Sequence, residues 1–231
     1  MAGWLAGDVD EWIYIDIDDQ HPDSLRFIKD CEKAIGKEIQ ILRSSQYRSV
    51  EECVLTFGHF RNMKNGFSPC TNWLKKRVRK EWEAVHKDYE ITYVWGFDVE
   101  ERRRAEKVVE GNPQAEHQFP LIEQGLSKKE VHGLFERTFD FKRPLMYDLG
   151  YPNNNCVGCV KGGMGYWNRI RKDFPEVFKA RAKLERKVGN TILKDKNGYI
   201  YLDELDPNRG NMNTEIFPEC GIMCYLAKED R

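Results

Sequence analysis

Nowhere does the 231-residue chain run for about eighteen consecutive apolar residues, the length a membrane-spanning helix needs. Its first residues lack the basic-then-apolar pattern of a secretory signal. Net charge is nearly absent, with 37 Lys and Arg against 38 Asp and Glu. That balance excludes general affinity for nucleic acid or membrane surfaces, so any attraction for anions must come from local clustering. There is no internal repeat and no low-complexity linker. Together these absences point to a cytoplasmic chain with one globular domain, or one domain plus a small lobe. Cysteine is present seven times, an odd number without an export signal, which reads as thiols, metal ligands or redox groups rather than a disulfide framework.

The cysteines are unevenly placed. Cys156-x-x-Cys159 sits in a turn made by Pro152, three asparagines and Gly158, where the backbone can fold both sulfurs toward one point. Cys220-x-x-x-Cys224 forms a second pair near the C-terminus, and Cys70 follows a proline at the head of a basic segment. Cys31 and Cys53 read as buried in helix packing. Two ligand sets remain open on spacing alone. Cys70, Cys156, Cys159 and one of Cys220 or Cys224 suit an iron–sulfur cluster or zinc, whereas Cys156, Cys159, Cys220 and Cys224 suit a closed structural zinc site. Surface thiols without metal are the third possibility.

The hydrophobic pattern gives an α/β order. Met1 to Gly7 reads as the end of a helix, and Trp12 to Ile17 as a buried strand. Pro22 then opens a helix carrying Leu25, Phe27, Ile28, Cys31 and Ile35 at helical spacing, and Glu38 to Leu42 is the next strand. Strand, helix and strand imply a right-handed crossover and a parallel sheet, with ligands beyond the carboxyl ends of its strands. Asp16, Asp18, Asp19 and His21 stand at that edge, as capping residues or as ligand contacts. From Arg61 to Lys80 there are seven basic residues and no acidic one. A helix from Thr71 to about His86 would aim its amides and Lys75 or Arg77 at an anion, or present a solvated face.

Further along, Ile91 to Trp95 reads as a strand leading through Gly96 into an arginine-rich helix, and Phe119 to Ile122 as a short strand. Ser127 and Glu130 form a capping box for a helix to about Arg137. The run Lys161-Gly162-Gly163-Met164-Gly165 can bring backbone amides to a ligand. Helices follow over Trp167 to Lys172 and Pro175 to Val188, then a half-exposed strand over Gly198 to Leu202 and a polar loop over Asp206 to Asn213. The expected architecture is therefore a mainly parallel sheet with flanking helices over residues 1–145 and a helical, cysteine-bearing C-terminal region over 146–231.

In this order the motifs resemble the phosphoadenosine phosphosulfate (PAPS) reductase family, within the adenine-nucleotide alpha-hydrolase group that also holds ATP pyrophosphatases. The resemblance rests on Tyr14-Ile15-Asp16 with His21-Pro22-Asp23, on Cys70-Thr71-x-x-Leu74-Lys75, and on Gly96 with Glu101 and Arg104. Pro120-Leu121-Ile122, Pro144 to Tyr151 before Cys156-x-x-Cys159, and Glu219-Cys220-Gly221-Ile222 complete it. The family's Ser-Gly-Gly-x-Asp-Ser phosphate loop does not occur, so the first domain reads as incomplete at its N-terminus, by an internal start or by loss of the loop. Asp98, Arg102 and Met223 stand where the family has arginine, serine and histidine, Cys70 stands alone where cluster-bearing members have two cysteines, and Cys224 is extra.

The resemblance implies an adenine sulfonucleotide or ATP as ligand, a 4Fe–4S cluster with zinc as the alternative, and Cys220 as reductase nucleophile, served by a thioredoxin-type reductant. It places the anion at Asp16, His21, Lys75, Arg77, Gly96, Glu101, Arg104 and Lys161. The competing expectations are a sulfur-transfer enzyme of the ATP pyrophosphatase type and a non-catalytic, metal-stabilised binding module.

Overall fold

The structure is a computed structural model that describes residues 1–62 and 66–215. The chain opens with α1 (Ala2–Ala6), β1 (Trp12–Ile15), α2 (Asp23–Ile35), β2 (Ile39–Leu42) and α3 (Val50–Phe57). β1 and β2 pair in parallel, Trp12 opposite Ile39 and Ile15 opposite Leu42, as the strand–helix–strand order requires. α3 was not legible in the apolar pattern. It is set by Ser49, whose hydroxyl accepts the Glu52 N–H at 3.2 Å, while Glu52 accepts the Arg48 N–H at 2.6 Å.

The basic segment forms one helical run in three parts: α4 (Pro69–Thr71), a π turn (Asn72–Lys76) and α5 (Arg77–Val85). β3 (Thr92–Val94), α6 (Arg102–Gly111) and β4 (Glu116–Gln118) make a second parallel crossover. α7 (Pro120–Glu123) corrects the strand expected over Phe119 to Ile122: the strand ends at Gln118, and Pro120 opens a helical turn, a first-turn position where its missing N–H costs nothing. α8 (Lys128–Thr138) carries the expected Ser127/Glu130 capping box. α9 (Leu145–Asp148), α10 (Met164–Asp173) and α11 (Pro175–Val188) lead to an antiparallel hairpin, β5 (Leu193–Asp195) with β6 (Gly198–Ile200). The strand expected to reach Leu202 ends at Ile200, where a tight turn over Leu202–Glu204 takes over.

The fold is mixed α/β, and among the described residues the two parallel pairs are not joined by a backbone ladder. Part of the reason lies on β1. Beyond its last paired residues the side-chain amide of Gln20 accepts the Ile17 N–H at 3.0 Å and donates to the Ile15 carbonyl at 3.5 Å, satisfying groups that a neighbouring strand would otherwise take. In the main core Ile17, Val54, Phe60 and Leu74 share one cluster with Met146, Trp167, Ile170 and Leu202. A smaller cluster of Phe97, Ala105 and Val108 fastens α6 to the β3–β4 pair. No helix among the described residues is long and apolar enough to cross a membrane.

Candidate functional site

The carboxyl ends of β1 and β2 form one wall. Asp16 follows β1, donates its N–H to Leu42 at 2.9 Å, and pairs its carboxylate with Arg43 just beyond β2. Tyr14 sends its hydroxyl to Gln20 Oε1 at 2.8 Å. Burial first, then the charges of Asp16 and Cys156, raises the Tyr14 pKa, while Ser24 and Lys75 pull it down. One acid, one thiol and one lysine of the basic helix therefore lie within electrostatic reach of a single hydroxyl. His21 is turned to local work, its Nδ1 accepting the Asp23 N–H at 3.1 Å and its ring meeting Phe174 edge-on.

The Cys156–Cys159 loop packs directly onto this wall. Cys156 makes a strand-like bridge to Gln20, and Val157 N–H donates to the Asp19 carbonyl at 2.8 Å. Between the cysteines Gly158 holds φ at 73°, and a Cβ there would meet Val177 Cγ1 at 2.6 Å, so only glycine fits both the turn and the packing. Both cysteines are buried. The Tyr166 hydroxyl accepts the Cys159 N–H at 2.9 Å and donates to the Cys156 carbonyl at 3.3 Å, stapling the turn. Burial, then the Cys159 charge, lifts the Tyr166 pKa well above its ordinary value, which keeps that hydroxyl protonated. A cavity of about 10 Å³, room for one water, lies among Met146, Tyr151, Asn155 and the two cysteines.

Cys70 is half-buried against the same core cluster as Cys156 and Cys159. The π turn that follows is a geometry often found at functional sites. It leaves Lys76 buried and Lys75 half-buried, while Arg77 faces out, 4.3 Å above the Trp73 ring and 3.4 Å from Glu81. The basic run thus divides into inward residues, Lys75, Lys76 and the buried Arg79, and an outward face. Among the described residues no three His, Cys, Asp or Glu side chains converge closely enough to hold a metal. Cys220 and Cys224 lie outside the described residues.

The carboxyl end of β3 forms the second wall. Gly96 leads to Asp98, whose side chain caps the next turn, and Glu101 accepts the Asp98 N–H at 3.3 Å while pairing with Arg104. Arg104 lies 4.6 Å from the Phe97 ring centre. Lys128 donates to Asn153 Oδ1 of the cysteine loop at 2.5 Å. Burial lowers the Lys128 pKa, with Asp98 opposing and Arg104 adding to the effect, so these groups lie close together. The cysteine loop therefore meets the first wall directly, beside Gln20 and Asp19, and reaches Lys128 of α8 through Asn153.

Lys161 is half-buried at the start of the glycine run. That run does bring amides to an anion, but the anion belongs to the chain: Gly165 N–H and Tyr166 N–H donate to the Glu215 carboxylate. Gln20, Asn153, Tyr166 and Glu215 were missed in the sequence. Only Tyr166 carried a signal, as an aromatic at the start of a helix after glycines, and nothing local marks the others. No family model, no curated protein and no solved structure matches the chain.

Proposed function

We propose that the chain is a PAPS reductase-like protein that binds an adenine sulfonucleotide between the two walls and presents its sulfonate to a cysteine. The observation that carries this reading is the Cys156–Cys159 loop seated against the carboxyl end of the β1–β2 pair, where α/β folds bind ligands. On this reading the pairs are two parts of one mainly parallel sheet. Lys75, within electrostatic reach of Tyr14, and Arg104, within that of Lys128, would be the cations that meet phosphate and sulfate oxygens.

By donor type, cysteines bordering one apolar cluster suit a soft metal or a cluster. Cys70, Cys156 and Cys159, with Cys220 or Cys224, would hold a 4Fe–4S cluster, or zinc in its place. Bound there, the group would contribute a redox-active or structural centre next to the anion. The reaction requires Cys224 as the fourth ligand, which leaves the Cys220 thiolate to attack the sulfonate sulfur. An S–S bond forms, the S–O bond to phosphate breaks, and adenosine phosphate leaves with the electron pair. A thioredoxin-type dithiol then reduces the cysteine S-sulfonate, releasing sulfite and becoming a disulfide.

The non-catalytic module is favoured by one observation, that the glycine-run amides are taken by Glu215 and so are closed to a phosphate. An ATP pyrophosphatase-type reaction is the third reading, and it expects binding of ATP. Anaerobically purified protein, titrated with adenosine 3′,5′-bisphosphate and ATP and assayed for sulfite release from PAPS with thioredoxin, separates these. The reductase reading expects bisphosphate binding weakened about tenfold or more by Lys75→Ala, and sulfite release abolished by Cys220→Ser. Binding without sulfite leaves the module, and no binding of either nucleotide at millimolar concentration ends both.

A further inference from the structure

Tyr166 is fixed more closely than filling the core requires. Its ring is 3% exposed and meets Tyr151 and Trp167 edge-on, with ring centres 6.0 and 5.7 Å apart. It lies across the chain that leaves the cysteine turn: a Cβ on Gly162 would overlap Tyr166 Cδ1, so glycine alone leaves room for the ring. Its N–H donates to the Glu215 carboxylate at 3.0 Å, which holds its backbone at the start of α10. With ring and backbone both set, the hydroxyl has one place to be. There it accepts the Cys159 N–H at 2.9 Å and donates to the Cys156 carbonyl at 3.3 Å, so a single oxygen spans the first and last residues of the turn. The other side of the turn is held by the end of β1, where Cys156 bridges Gln20 and the Val157 N–H donates to the Asp19 carbonyl at 2.8 Å. Gly158, at φ 73°, is packed between these two holds against Val177 and Trp167.

We propose that Tyr166 is a positioning residue for the cysteine pair: its hydroxyl sets the closure of the Cys156–Cys159 turn, so that both thiolates reach one soft cation without rearrangement. This rests on the reading that Cys156 and Cys159 ligate a metal together. Tyr166 acts through the backbone of the turn and does not touch the metal, as an outer-shell partner that orients ligands does. Removing the hydroxyl takes one hydrogen bond from the Cys159 N–H and one from the Cys156 carbonyl in buried surroundings. The turn then loses its fixed span, and part of the metal-binding energy goes into restoring it.

The probe is Co²⁺ alone, added anaerobically to the whole, reduced, metal-free protein. Its thiolate charge-transfer absorption reports sulfur ligation, and its ligand-field bands report the symmetry of the site. Wild type is compared with Tyr166→Phe, which removes only the hydroxyl, and with Cys156→Ser. The expected result is thiolate absorption in wild type that falls in Cys156→Ser, with Tyr166→Phe binding Co²⁺ about 10–100-fold more weakly and its ligand-field bands displaced. A merely structural tyrosine would lower the urea midpoint and leave affinity and bands as in wild type, and that result overturns the proposal while leaving the metal reading intact. Should Tyr166→Phe not fold, fluorotyrosine at position 166 keeps the ring and alters the hydroxyl's hydrogen bonding, and unmoved bands there overturn the proposal equally. Wild-type absorption that lacks a thiolate component, or that is unchanged in Cys156→Ser, removes the metal reading of the pair and the positioning role with it.

Discussion

Glu185 carries a pH dependence that can be worked from its surroundings. It lies on α11 with no exposed surface, accepting the Ile192 N–H at Oε1 and the Leu202 N–H at Oε2, both at 2.6 Å. The two bonds fasten the β5–β6 hairpin to α11. Burial pushes its pKa up to about 7 from an ordinary 4.5, against the pull of the two backbone amides and with Asp203 adding a little. At about 1.4 kcal/mol per pH unit that difference is worth about 3 kcal/mol. The folded carboxyl binds its proton more tightly than the unfolded one. Its contribution is therefore complete below about pH 4.5 and is lost as pH rises toward 7. In Glu185→Gln that slope is absent, while one of the two N–H groups faces an amide donor at a cost of about 1–3 kcal/mol. Urea unfolding of both proteins at pH 5, 6, 7 and 8 cancels every other titrating group. The advantage of the wild type over Glu185→Gln is expected to shrink by about 2–3 kcal/mol from pH 5 to pH 8. An advantage constant to within about 0.5 kcal/mol would refute the placement of Glu185 as a buried, desolvated carboxyl.

Other perturbations follow from single contacts. Gly158→Ala adds a left-handed strain and a clash with Val177, and is expected to cost about 2–4 kcal/mol. Gly150→Ala, with φ at 81° but open space around it, should cost only about 1 kcal/mol, so equal losses by thermal unfolding would show that packing at Gly158 is misread. Arg181→Met leaves the nearly buried Asp19 carboxylate without its cation, and should destabilise by about 3–5 kcal/mol in denaturant unfolding. Adding Asp19→Asn should restore part of that loss. Burial pushes the Cys53 thiol to about 12 and the Cys31 thiol to about 11. At pH 8 a maleimide is therefore expected to leave both unlabelled until the protein is unfolded, as mass spectrometry would read.

What the sequence made legible was what neighbouring residues decide. Trp12 to Ile15, the helix behind Pro22 and the strand ending at Leu42 follow from local hydrophobic spacing, and they pair in parallel as that order requires. The Ser127/Glu130 box needs only four residues and is found as expected. The Phe119–Ile122 strand failed because an apolar tetrapeptide has no period of its own, and Pro120 decides in favour of a helical turn. The glycine run failed for a different reason. Its amides are available to an anion in any local reading, and the group that takes them lies some fifty residues further along the chain. The separation of the parallel pairs was likewise hidden, since it involves a glutamine side chain that mimics a strand.

Asp19 explains why the acidic edge beyond β1 reads as a ligand site and yet is partly framework. Its carboxylate accepts the Val50 N–H at 2.6 Å, capping α3, and pairs with Arg181 of α11. Its carbonyl accepts the Val157 N–H inside the cysteine loop. One residue thus joins α3, α11 and the loop to the end of β1, so none of these can shift without disturbing the others. Asp18, by contrast, is exposed and pairs with Arg48, and His21 serves the start of α2. Of the four polar residues at that edge, Asp16 alone stands within electrostatic reach of the Tyr14 hydroxyl together with Cys156 and Lys75. The chemistry available at this wall narrows to Asp16, Lys75 and Cys156, held in register by a framework that Asp19 closes. A rigid frame of that kind holds the cysteine turn and the end of β1 in fixed relation.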